Sequence, residues 1–216
     1  MLEQLNSVQR RVLGVLIEKS LAQPEYYPMT VNAIVAACNQ KNNRDPVMEL
    51  DESTVFDELE QLRHAALVGR VLAGPGSRAD RFKHDALGHY GWGNRQQAVM
   101  AELLLRGSQT LNELKTRCAR MVDFESVEAL QICLDSLQET IPPWITLLSR
   151  QAGQREARFA HQLYMADEVV PVTADRTRVA AEAAPPVGRP DGIRELLARI
   201  ELLERRVQEL ESRSRA

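Results

Sequence analysis

The side chains in this chain that could hold a metal, attack an electrophile or shuttle a proton are four histidines, three cysteines and a few neighbouring carboxylates. His64, His84, His89 and His161 have no cysteine or carboxylate at a recognised metal-ligand spacing, so no metal is expected. His84 and His89 read as strand-end surface. Cys38, Cys118 and Cys133 sit beside apolar residues in helical patterns, which points to buried packing and not to a nucleophile. Their odd number and wide spacing argue against a disulfide framework and fit a reducing compartment. Gly74-Pro75-Gly76 and Gly91-Trp92-Gly93 match neither a phosphate loop nor a dinucleotide fingerprint; they read as a hairpin tip and a connector. Glu58 with Glu60 is a charged helix face. The sequence predicts no enzyme, no catalytic residue and no cofactor.

Binding chemistry has more candidates. The block Asn39-Gln40-Lys41-Asn42-Asn43-Arg44-Asp45-Pro46 places the amides of Asn39, Asn42 and Asn43 beside the cations Lys41 and Arg44. Such groups can hydrogen-bond bases, phosphates or a partner's backbone. The same residues also suit a loop that caps a helix and turns the chain. Further cations fall on a predicted hairpin (Arg70, Arg78, Arg81, Lys83) and late in a second-half helix (Lys115, Arg117, Arg120). Their bland reading is a solvated surface with local ion pairs. Tyr26, Tyr27 and Trp92 read as packing and not as a stacking platform.

Composition bounds these readings. The 216 residues are 44% hydrophobic and 26% charged with a formal charge of −3, the balance of a globular protein without a polycationic coat. Met1-Leu2-Glu3 opens without a basic-then-apolar leader, and no apolar run approaches the roughly 18 residues of a membrane span. A soluble, cytoplasmic protein with no membrane partner is expected.

The elements that must position these residues are mostly helical. Val8, Val12, Val15 and Leu16 recur at helical spacing after Asn6, whose partner Gln9 completes a capping arrangement; Pro24 and Pro28 stop this helix. Thr30 can cap a second helix through Val31, Ile34, Val35 and Cys38. Asp51 starts a third, with Val55, Leu59 and Leu62 as its buried stripe and Ser53, Asp57, Glu60, Gln61 and His64 outward. Two strands, Leu67 to Val71 and Ala79 to His84, then flank Gly74-Pro75-Gly76-Ser77.

That order recurs. Thr30-Val31-Asn32-Ala33-Ile34 with Cys38 matches Thr110-Leu111-Asn112-Glu113-Leu114 with Cys118, Val55, Leu59 and Leu62 match Leu130, Leu134 and Leu137, and Arg81-Phe82-Lys83-His84 matches Arg158-Phe159-Ala160-His161. The expected architecture is mainly α with small β-hairpins: two tandem winged-helix domains, 1–88 and 89–165, followed by a Pro/Ala-rich linker at 166–190. In 191–216, Ile193, Leu196, Ile200, Leu203, Val207 and Leu210 form heptads with β-branched a and leucine d positions, and Arg199 and Arg206 can face Glu204 and Glu211 across a parallel pair. A coiled-coil helix making a homodimer is expected; the alternative is a helix folded back on its own chain.

Leu5-Asn6-Ser7, the run Arg11 to Lys19, Tyr27-Pro28, Asn32-Ala33 and above all Cys38 to Met48 resemble the bacterial YceH-like family of tandem winged-helix proteins, over residues 5 to 165. The resemblance implies the fold and often a C-terminal coiled-coil-like segment; it brings no activity. Most winged helices lay their third helix in the DNA major groove. Here the third helix carries Asp51, Glu52, Asp57, Glu58 and Glu60 against Arg63, and its second-half counterpart carries Glu128, Asp135 and Glu139. Each carboxylate about 4 Å from a phosphate costs on the order of 1 kcal/mol even in water. The expected function is therefore duplex DNA binding through the wings and the polar loop, by fold analogy. The competing expectation is a protein partner, as for the tandem winged-helix accessory subunits of chromosome condensation complexes.

Overall fold

The computed structural model describes residues 4–74, 79–150 and 156–168. These are mainly helical with two small antiparallel hairpins. The predicted linker beyond Glu168, the heptad residues Ile193, Leu196, Ile200, Leu203, Val207 and Leu210, and Arg78 on the first hairpin lie outside the described residues.

The first half contains α1 (Ser7–Ala22), α2 (Val31–Cys38), α3 (Glu52–His64), β1 (Val68–Val71) and β2 (Arg81–His84). Local sequence sets these ends. Asn6 caps α1 in a reciprocal box with Gln9, Thr30 accepts from Ala33 N–H at the start of α2, and Asp51 accepts from Thr54 N–H at the start of α3. Val68 pairs with His84 and Val71 with Arg81 across the hairpin.

A short helix, α4 (Ala86–Tyr90), which the sequence pattern did not predict, spans the expected boundary and joins the two halves. Asp85 caps it, and Gly91, in the left-handed conformation at φ 72°, ends it. Then follow α5 (Asn94–Arg106), α6 (Leu111–Cys118), α7 (Val127–Gln138), β3 (Ile145–Leu148) and β4 (Arg158–His161). Thr110 and Glu113 form a complete capping box on α6. Ile145 pairs with His161 and Leu148 with Arg158. In each half the second strand also bridges the residue before a threonine N-cap: Phe82 to Met29 ahead of α2, and Phe159 to Gln109 ahead of α6. Arg81 donates to Pro28 O at 2.9 Å and Arg158 to Ser108 O at 3.0 Å, so the sequence repeat is also a repeat of backbone pairing.

One core runs through both halves. α1 and α5 pack on each other, and Leu13, Leu16 and Ile17 join Met100, Leu103 and Leu105 in a single buried cluster. Gly14 permits the close approach: a Cβ there would stand 3.0 Å from Leu105 Cγ and 3.1 Å from Leu104 Cβ. Trp92, 1% exposed, stacks on Tyr90 with ring centroids 4.2 Å apart and meets Trp144 edge-on, as packing predicts. His84 departs from the expected strand-end surface. Its Nε2 lies 2.8 Å from Ser20 Oγ and its Nδ1 accepts from Ala86 N–H, which fixes the Nε2–H tautomer on a half-buried ring.

Candidate interaction surface

The polar loop turns out to be largely a structural joint. Arg44 is 6% exposed, and its Nε donates to Ala37 O, Nη1 to Glu18 Oε1 and Asn43 O, and Nη2 to Glu18 Oε2 and Gln40 Oε1. Its five N–H donors are matched by five acceptors, so Arg44 has none left for DNA or a partner and is removed from the binding set. Asn39 likewise faces inward: its amide donates to Leu50 O at 2.7 Å and accepts from Leu50 N–H at 2.8 Å, pinning the far end of the loop. Asn43 sits at φ 62°, a backbone region asparagine tolerates, and accepts from Arg106 of α5. Lys41 and Asn42 are exposed and remain available.

What holds the loop is a charge cluster between the halves. Glu18 of α1 and Glu102 of α5 are 1% and 0% exposed. Glu18 takes the bidentate Arg44, with the closest contact at 2.5 Å, and Arg120 reaches from the turn after α6 to both carboxylates, bonding Glu18 and, at 2.6 Å, Glu102. Arg106 stands 3.4 Å from Glu102. Burial alone would raise the Glu18 carboxyl, but the Arg44 hydrogen bonds and charge, then those of Arg120, hold it below the usual range. Burial lowers Arg120 too, yet Glu102 and Glu18 outweigh it and strengthen its charge. Arg11 completes the joint by donating to Cys38 O at 2.8 Å and Pro46 O at 2.5 Å.

Sequence reasoning missed Glu18 and Glu102, and it counted Arg120 among the surface cations although both carboxylates engage it. The available signal was a lone carboxylate at the end of one apolar helical run, Val12 to Ile17, and inside another, Ala98 to Leu105.

On the first hairpin Arg70 is engaged. It bonds Asp80 through Nε at 2.7 Å, approaches Glu60 of α3 at 3.6 Å and lies over the Phe82 ring. Arg81 is exposed although tied to Pro28 O, and Lys83 is exposed. On α3 Ser53, Asp57, Gln61 and His64 face water as the periodicity predicts; Glu60 is half-buried, held by Arg63 at 2.8 Å. In the second half Arg117 pairs with Glu113 at 3.2 Å.

Glu128 on α7 and Glu139 at its C-cap are exposed, as is Ile132 between them. A groove of about 490 Å³ separates this helix from the start of α5. Among the described residues, α3 and α7 thus present acidic outward faces, and Arg81 and Lys83 of the first hairpin make no ion pair with a described residue.

The model of the family described as "Protein of unknown function, DUF480" matches residues 5–154. The chain belongs to this family. Curated relatives agree: a UPF0502 protein of Geobacter sulfurreducens is 47% identical over 161 residues, covering 74% of this chain and 72% of the relative. A UPF0502 protein of Pectobacterium carotovorum is 38% identical over 213 residues, covering 96% and 94%. The DUF480 match includes Cys38 to Met48, the block that carries the resemblance to YceH-like proteins, and Arg44 in that block is the residue locked to Glu18.

No nucleophile stands out in the site. Burial pushes the Cys38 thiol up to about 12 and the Cys133 thiol up to about 11, and raises Cys118 as well. Among the described residues no group of three or more His, Cys, Asp or Glu could hold a metal ion, and no helix is long and apolar enough to cross a membrane.

Proposed function

We propose that this DUF480 chain is a non-enzymatic tandem winged-helix protein of the cytoplasm whose winged helices engage a protein partner. The observation that carries this reading is the state of the charges on the surfaces a DNA reader would use. The outward faces of α3 and α7 carry Asp57 and Glu128, with Glu139 at the α7 C-cap, while Arg44, Arg70 and Arg117 are spent on Glu18, Asp80 and Glu113. A carboxylate facing a phosphate at about 4 Å is repelled by about 1 kcal/mol in water and more where water is excluded. The repeated helix–helix–helix–hairpin order, with the same strand bridge in each half, supports the tandem winged-helix assignment.

A second reading has its own observation. Lys41, Arg81 and Lys83 are exposed and make no ion pair with a described residue, which favours wing-led binding of duplex DNA. One titration separates the two: mixed-sequence duplex at two salt concentrations, with the intact chain and with Arg78, Arg81 and Lys83 changed to Ala. The protein-partner reading expects no saturable binding at low salt. Tight, salt-sensitive binding that the triple variant loses would replace it with the DNA reading.

Homodimerisation through Ile193, Leu196, Ile200, Leu203, Val207 and Leu210 is proposed from the heptads. Removing residues 191–216 is expected to halve the mass measured by sedimentation equilibrium; an unchanged mass would refute it.

A further inference from the structure

Among the described residues, an exposed apolar side chain, a groove and uncompensated charge coincide on α7. Ile132 is 69% exposed in the middle of this helix. It lines the groove of about 490 Å³ together with Ala129 and Cys133 on the α7 side and Asn94, Arg95 and Gln96 at the start of α5. Gln96 reaches across to Ser136 Oγ at 3.0 Å and ties the two walls together.

The helical repeat surrounds Ile132 with acid. Glu128 lies four residues before it and Asp135 three after, the positions that share its face; Glu125, before the Ser126 N-cap, and Glu139, the C-cap, add carboxylates at the two ends of the helix. One cation lines the groove, Arg95, and it is 3.5 Å from Glu125. Glu128, Asp135 and Glu139 make no ion pair with a described residue. Hydrogen bonds from its own backbone and from Ser126 hold the Glu128 carboxyl below its ordinary range, so it is charged at neutral pH.

This chemistry selects the occupant. A second copy of the same face would set carboxylates against carboxylates, and nucleic acid would do the same with phosphates. A groove whose α7 wall presents Ala129 and Ile132, with the carboxylates of α7 beside it, complements a helix with an apolar stripe flanked by lysine or arginine, the helix-in-groove mode of recognition.

We propose that the α5–α7 groove binds a basic amphipathic helix of a partner protein, seating its apolar stripe beside Ile132 and its cations against Glu128, Asp135 and Glu139. The proposal rests on the protein-partner reading above and names the surface and the partner's chemistry.

The probe is a synthetic helical peptide of about four turns with leucines at i, i+3, i+4 and i+7 and lysines elsewhere, followed by fluorescence anisotropy with the full chain. A peptide of the same composition without the apolar stripe serves as control. Expected are saturable binding of the amphipathic peptide, at least about tenfold weaker binding of the scrambled one, and losses of about tenfold in each of Ile132→Ser and the double variant Glu128→Lys/Glu139→Lys. Asp57→Lys on α3 should stay within about twofold of the unchanged chain. Equal binding of the two peptides, or an Ile132→Ser variant that binds as well as the unchanged chain, overturns the proposal. So does a fall in sedimentation mass of Ile132→Ser without peptide, which would make a second copy the occupant. These outcomes are independent of the DNA titration: loss of the groove with no DNA binding removes only this surface, whereas tight DNA binding removes the broader reading.

Discussion

The strands β2 and β4 begin with the same residues, Arg-Phe, and end with the same residue, His, yet they live in different environments. In β2, Phe82 is buried while Arg81 and Lys83 face water; in β4, all of Arg158 to His161 are buried. Their local geometry is the same down to the arginine bonded to the carbonyl before the second helix. The tertiary partners differ. Beyond β4 the chain runs back to α1, where Leu5 N–H donates to Leu163 O and Tyr164 stacks on His161 at 3.9 Å beneath Arg10. Glu113, 2.8 Å from Arg158, compensates that buried guanidinium; the matching position in the first half is Ala33, and Arg81 stays in water. A buried charge needs a partner, and the repeat kept one only where it enclosed the strand.

The halves can be parted or their difference erased by substitution. The largest effect is expected at the joint: Glu18→Ala leaves the fully buried Arg44 without its carboxylate and should cost about 3–5 kcal/mol in urea unfolding, Arg44→Ala should cost less because Arg120 still holds Glu18, and Lys41→Ala in the same loop should stay within about 0.5 kcal/mol. Next, Gly14→Val should lose about 1–3 kcal/mol, because the new side chain must push Leu104 and Leu105 of α5 aside. The third pair sharpens the strand comparison. Arg158→Ala should destabilise by about 1–3 kcal/mol by removing a buried donor to Ser108 O and leaving Glu113 with Arg117 alone, while Arg81→Ala should cost less than about 0.5 kcal/mol.

The last effect is read with pH. Burial lowers His161 to about 3, with Arg10 adding to it, and burial lowers His84 to about 4 against a smaller opposing pull from Asp85. Both rings are neutral in the fold but take up protons in the unfolded chain below about pH 6.5, so stability is full above that value and falls as pH drops toward the folded values. Between pH 7 and 5 the loss should be about 2 kcal/mol from His161 and about 1 from the less enclosed His84, read by unfolding at each pH and abolished site by site in His161→Gln and His84→Gln. An unchanged midpoint would mean that water reaches both rings.

Much of the fold was written locally. Asn6 with Gln9, Thr30, Asp51 and Thr110 fixed helix starts because capping involves residues three apart, and the stripe Val55, Leu59 and Leu62 fixed which face of α3 is buried. The surface was legible where periodicity governs it, as for Ser53, Asp57, Gln61 and His64. Residue type could not separate Lys41 from Arg44, three positions apart in one polar loop, because the difference between them is Glu18, 26 residues away from Arg44. Nor could it show that Arg120 crosses to Glu18 from the other half.

The sequence by itself determined the helical content, the helix caps, the hairpin registers' neighbourhoods and the doubling of one pattern, all consequences of short-range hydrogen bonding and hydrophobic periodicity. Only the tertiary structure decided which cations are free. Packing α1 on α5 removed Glu18 and Glu102 from water, and the cost of leaving those carboxylates unpaired drew Arg44, Arg106 and Arg120 inward, so that the exposed charge of this protein is what its interior did not require.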